Sequence, residues 1–216
     1  MNHTYLPVDK HDCKSVEALA SMEREVVIPL LPELLEWIQD MNWPIASAMM
    51  DVLLKYKVET IPHLKIIFSQ SDSIWTYNIL SYLIKDWNTE LISELSSDLR
   101  ELAQTMDHYE DTDLLSIEIL YKHLLIEASE ATELLAGKLR EIEEGLNSVT
   151  KEQRVIFAEL ELERLHILNT DARGILNYIE VNRKSLKEKD QYENLLRRYQ
   201  EIETMINTNG GRLNRE

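Results

Sequence analysis

Glycine is absent from the first 136 residues of this chain, and proline is absent after residue 62. The five prolines are Pro7, Pro29, Pro32, Pro44 and Pro62, and the first glycine is Gly137. A chain with so few turn formers, yet rich in Leu, Ile and Glu, reads as all-α. At 216 residues it has room for one large domain or two small ones.

The segment from Leu30 to Ala46 reads as a short helix, a tight corner and a second helix. Leu30, Leu31, Leu34, Leu35 and Ile38 recur at spacings of three and four, which predicts a helix from Ile28 to about Asp40. Pro29 and Pro32 are tolerated in its first turn or just before it, because the first helical N–H groups have no partner in the helix. Pro44 is expected to open the next helix, which runs to about Tyr56, and Trp37 and Trp43 flank the corner.

The rest of the first half reads as more short helices. Cys13 to about Met22 is the first, capped by Asp12. A fourth begins near Thr60–Pro62 and ends at Ser71-Asp72-Ser73, where Asp72 or Ser71 caps a fifth. Asn88 or Thr89 caps a sixth, through Leu91, Leu95, Leu99 and Leu102. Helix pairs of this length build helical-repeat stacks. Pro29 and Pro62 form a loose echo 33 residues apart, although two matches do not establish a repeat.

The second half has longer periods. Leu135, Leu139, Ile142, Leu146 and Val149 form one heptad seam; Leu165, Leu168, Ala172, Ile175 and Ile179 a second; Tyr192, Leu195, Tyr199, Ile202 and Ile206 a third. The first is expected to continue from a helix starting near Asp113. Turns are expected at Asn147-Ser148 and within the charged run Asn182–Asp190. Three long helices then fold back as an antiparallel bundle, or form a coiled-coil hairpin that pairs with another chain. The expected division is a stack over 1–112, long helices over 113–208 and a frayed tail over 209–216.

Charge is uneven. Residues 1–130 carry 23 acidic and 9 basic side chains, net −14, and residues 131–216 carry 16 and 14, net −2. Such an acidic half repels nucleic-acid phosphate and attracts a basic protein; acidity also simply keeps a protein soluble. No apolar run reaches the ~18 residues of a membrane span. The N-terminus has neither a basic nor an apolar segment of a secretory signal, and lone Cys13 excludes an internal disulfide. A soluble, cytoplasmic protein fits best.

No reaction template finds its full set of groups, so no enzyme activity, cofactor or metal is expected. Glu163 and His166 have the spacing of a bundle di-iron ligand pair, but no second Glu-x-x-His exists. Asp107, Glu110, Asp111 and Asp113 lack the glycine of an EF-type calcium loop and read as an acidic connection. His11-Asp12-Cys13 reads as an N-cap beside a small buried thiol, and His63 as a packing or capping histidine.

Several motifs carry a family resemblance. They are Leu6-Pro7 with Asp9, Lys10 and Asp12; LPELLEWIQDMNWPIA from Leu31 to Ala46; IPHL from Ile61 to Leu64; and Trp75 with Tyr77. Together they resemble a bacterial family of short HEAT-like helical domains of unknown function, over residues 1 to about 130. The resemblance implies a HEAT-like scaffold without established activity, and related small helical folds serve as immunity proteins against toxins. The expected function is a protein-interaction module, in its sharpest form an immunity protein that occludes a basic toxin. Asp40, Asn42, Trp43, Asp72 and Trp75 are the candidate contacts, with core packing as the competing role for the tryptophans. The alternative is a chaperone or adaptor that holds a secretion or assembly substrate through the C-terminal helices. Those helices also offer a route to a homo-oligomer.

Overall fold

The computed structural model describes residues 5–70, 72–170 and 172–213, with side chains as far as Asn207. Every regular element among them is helical. The chain divides into two compact units, 1–131 and 132–216. The division lies beyond the expected boundary at 112/113, because the helix Thr112–Lys122 packs within the first unit.

The first unit starts with α1 (Cys13–Ala20), whose N-cap is Asp12. One Asp12 oxygen accepts the Ser15 N–H at 3.2 Å, and the other accepts the Ser15 hydroxyl at 2.6 Å. Next come α2 (Arg24–Val27), a 3-10 turn (Ile28–Leu30) and α3 (Leu31–Glu36). The helix expected from Ile28 to Asp40 is thus shorter at both ends. Pro29 enforces the tighter 3-10 turn, and after Glu36 the chain closes on i→i+3 bonds such as Trp37 N–H to Leu34 O. After the corner comes α4 (Ala46–Leu53), two residues later than expected, with Pro44 in the preceding turn.

α5 (Lys57–Phe68) starts earlier than expected and keeps Pro62 in its interior. Pro29 and Pro62 therefore hold different positions, and their spacing reflects no structural repeat. α6 (Ser73–Asn78) is capped by Asp72, whose Oδ1 accepts the Trp75 N–H at 2.9 Å. It continues as a π-helical turn, Ile79–Ile84, whose residues Ile79, Leu80, Leu83 and Ile84 are buried. The single helix expected over Leu91–Leu102 is two, α7 (Thr89–Ser93, capped by Asn88) and α8 (Ser96–Gln104).

α9 (Thr112–Lys122) does not run on into the first heptad seam. It stops at a Schellman closure, with Leu125 N–H on Leu120 O at 2.9 Å and Leu124 N–H on Tyr121 O at 3.0 Å. Leu124 takes the left-handed position usually given to glycine, at φ 55°.

The contacts arrange these helices in two rows. α3, α5 and α8 follow one another in one row; α1, α4, the α6 π-turn and α9 do so in the other. Cross-contacts join α3 to α4, α5 to α6 and α8 to α9. Between the rows lies the core, including Leu34, Leu35, Met49, Leu64, Leu80, Leu99 and Ile117.

The second unit is a long helical hairpin. α10 (Ala128–Ser148), α11 (Lys151–Thr170) and α12 (Ile175–Leu213) match the expected count of three long helices; the first break follows Ser148, next to its expected place, and the second differs. Asn182–Asp190 lies inside α12, and the turn is the 3-10 segment Ala172–Gly174. The last helix also runs past Asn207, into the span expected as a tail; residues 214–216 lie outside the described ones.

α10 and α11 meet at Thr150, which forms a capping box with Gln153: Gln153 N–H donates to Thr150 Oγ1 at 3.2 Å, and Thr150 N–H to Gln153 Oε1 at 2.9 Å. Both lie antiparallel to α12. Phe157 packs on Tyr192 with ring centroids 5.7 Å apart, and Glu161 bonds Lys189 at 3.1 Å. Further down, a Cβ on Gly145 would stand 3.0 Å from the Leu195 side chain, which marks the close approach of α10 to α12. At 39 residues, α12 is about 58 Å long and spans both partners. Within the chain the long helices thus form a hairpin, with α10 and α11 on one arm and α12 on the other.

Candidate functional site

The corner between α3 and α4 brings three of the five candidate contacts together. Asp40 Oδ1 accepts the backbone N–H of Asn42 at 2.9 Å and its side-chain amide at 3.0 Å. Trp43 N–H closes the turn on Asp40 O at 3.1 Å, and the Trp43 ring stands edge-on to Trp37 with centroids 5.8 Å apart. Asn42 is exposed, whereas Asp40 and Trp43 are half-buried.

Trp75 is instead buried against α3. It is 8% exposed and its indole N–H donates to Leu35 O at 3.2 Å. One turn on, the buried Asn78 donates to Ile38 O at 3.1 Å and to Gln39 O at 2.9 Å. α6 therefore donates to carbonyls at the end of α3 and in the turn after it, where Leu35 O also accepts the Ile38 N–H at 3.2 Å. This packing role is the one weighed against partner contact for Trp75 in the sequence.

Asp72, at the other end of α6, is exposed and separate from the corner. Its neighbours Gln70 and Ser73 line a groove that the sequence reading missed. One section, about 360 Å³, lies between the end of α5 (Phe68) and α8 (Asp98, Glu101, Leu102). An adjoining section of about 220 Å³ shares Gln70, Leu102 and Thr105 and reaches Met106, His108 and Tyr109. Among the described residues lining both sections there is no lysine or arginine. The signal in the sequence was the acidic, strongly amphipathic stretch around Asp98 and Glu101, which by itself is indistinguishable from a solvated helix face.

The acidic connection at 107–113 is a structural knot. Asp107 Oδ1 accepts the N–H groups of Tyr109 (2.9 Å) and Glu110 (3.0 Å), and its Oδ2 accepts the Thr112 hydroxyl at 2.5 Å. Burial raises the Asp107 pKa, but these hydrogen bonds outweigh it and hold the group below the usual carboxylate value. Asp113 is fully buried and accepts the Leu114 N–H at 2.9 Å. Among the described residues no three His, Cys, Asp or Glu side chains gather as a metal-ligand set.

Other singled-out residues stay apart. Glu163 and His166 are exposed on α11, His11 is exposed and His63 is half-buried. Cys13 is free and exposed, not buried as expected, because it occupies the outer side of the first turn of α1. The buried histidine is instead His123, with Nδ1 3.0 Å from Thr89 Oγ1; burial, then the nearby Lys122 charge, pushes its pKa down.

Four basic residues of the first unit donate to backbone carbonyls. Arg24 donates to Lys55 O, Lys55 to Ala20 O, Arg100 to Leu125 O and Lys122 to Lys85 O, at 2.5–2.9 Å. Four of the nine basic side chains in 1–130 thus brace the fold, where acidic side chains outnumber basic ones 23 to 9.

The sequence pattern of a domain of unknown function, DUF5071, matches residues 5–125. The chain belongs to the DUF5071 family. That match covers the first unit almost to its end and leaves the hairpin outside it. No curated protein matches the chain. Among the described residues, no helix is long and apolar enough to cross a membrane.

Proposed function

We propose that this DUF5071 member is a non-catalytic interaction protein whose first unit docks a basic protein segment in the groove between α5 and α8. The observation that carries this reading is a groove lined by Asp98, Glu101 and Asp107, with no lysine or arginine among the described lining residues, in a unit of net charge −14. Opposite charge there speeds encounter and disfavours nucleic acid. The corner residues Asp40, Asn42 and Trp43 form a second contact, and Trp75 bonds the α3 helix that leads into the corner.

The two-row packing suits a HEAT-like scaffold, in which helix pairs present an extended surface. In its sharpest form the protein is an immunity protein that blocks a basic toxin by covering it. The free, exposed Cys13 fits a reducing, cytoplasmic compartment.

A lysine- and arginine-rich peptide titrated into the full chain by calorimetry tests the reading. Saturable binding is expected, weakened about tenfold or more by Asp98→Lys with Glu101→Lys and by raised salt. Binding that is lost with Asp40→Lys but kept in the groove variant would move the site to the corner. No binding at any salt concentration would sink the proposal.

A further inference from the structure

α11 carries two apolar rows of heptad spacing, and among the described residues of the hairpin only one of them has a partner. The inward row is Gln153, Phe157, Leu160, Arg164 and Ile167, with Phe157 and Leu160 buried against α12. The other row is Val155, Ala158, Leu162 and Leu165, all exposed. It lies about 160° further round the helix in the direction of the chain. On α12, Leu176 and Ile179 are turned by a similar angle from the inward-facing Tyr178, Lys189 and Tyr192. Because the helices run antiparallel, the two rotations bring both rows to the same side of the hairpin. Leu168 sits between them.

We propose that this face is the interface with a second copy of the chain, so that two hairpins close into an antiparallel four-helix bundle. Val155, Leu162, Leu165, Leu168, Leu176 and Ile179 are each 43–76% exposed. Together they offer roughly 300 Å² of apolar surface per chain. Doubled across a two-fold axis, at the about 65% apolar content of homodimer interfaces, this corresponds to roughly 1,000 Å², where specific interfaces begin.

Charge favours the same occupant. Residues 151–185 hold six acidic and six basic side chains, so two copies of this segment do not repel as two first units would. Further along the same face α11 presents Lys151 and Arg154, and α12 presents Asp190 and Glu193 at the same level, as the Arg154–Tyr192 contact at 5.7 Å shows. A two-fold axis parallel to the helices sets α11 of one protomer on α12 of its partner and brings these opposite charges together. The inference is independent of the reading of the first unit.

Sedimentation velocity on the full chain, from about 1 to about 200 μM, tests it. A dimer is expected in that range. Leu162→Glu with Leu165→Glu should weaken it about 100-fold or more without loss of helicity by circular dichroism, since both residues are exposed. If that variant loses helicity, Leu162→Ala with Leu165→Ala serves instead, with about tenfold weakening expected. Lys151→Glu and Asp190→Lys should each weaken the dimer several-fold and restore it together. A monomer throughout, a dimer indifferent to the leucine variants, or a charge swap without restoration would overturn the proposal.

Discussion

Single side chains do the work of the missing glycines. In the first unit every helix ending must be made without that residue, and Leu124 is the clearest consequence. It holds a left-handed φ of 55°, with its side chain 85% exposed. A left-handed conformation costs a non-glycine residue about 1–2 kcal/mol, and an exposed leucine returns little by burial. Leu124→Gly is therefore expected to stabilise the first unit by about 1 kcal/mol, after the greater chain entropy that glycine loses on folding. Urea denaturation should show the midpoint rise with an unchanged slope. The same residue explains why the sequence hid the end of α9: the closure is present, but the residue type that signals it is not. Asp12, Asp72 and Asn88 were legible as caps because their side chains act on backbone only three residues away.

At the scale of elements, periodicity located the helices but not their partners. Leu165 and Leu168 read as part of a heptad seam, yet both stay more than 40% exposed, because α12 takes the adjacent row of Phe157 and Leu160. A helix rich in leucine on more than one side does not say which row a partner chooses. Polar pairing helps decide it. Glu161 bonds both Arg164 on its own helix and Lys189 on α12. Arg164 first, and Lys189 next, hold its pKa down to about 2 from 4.5. A carboxylate depressed in the folded state adds stability above its unfolded value of 4.5, and that contribution is lost as pH falls toward about 2. Wild type and Glu161→Gln should thus differ most above pH ~5 and converge on acidification, as read by thermal midpoints across the pH series. A difference that grows on acidification would refute the role of Glu161 in joining the helices.

For the whole molecule, charge is the dominant constraint. A net charge of −16, of which −14 lies in residues 1–130, opposes compaction by self-repulsion. The ion pairs that could offset it, such as Arg24–Glu59 and Arg100–Glu130, are partly exposed and contribute little. Added sodium chloride, from about 20 mM to about 500 mM, is therefore expected to raise the thermal midpoint by screening the repulsion. An unchanged or falling midpoint would show that surface ion pairs outweigh it.

The sequence by itself determined the all-α class, the caps, the corner between α3 and α4, the three long C-terminal helices and the family. These rest on interactions within a few residues, or on a period that one helix repeats along its own length. Tertiary structure alone decided that Trp75 and Asn78 cap α3 from 40 residues away, that α5 and α8 enclose a groove, and that α10 and α11 share one long partner. Each of these depends on which surfaces meet, and several pairings of amphipathic helices satisfy the same local pattern. Geometry and burial choose among them.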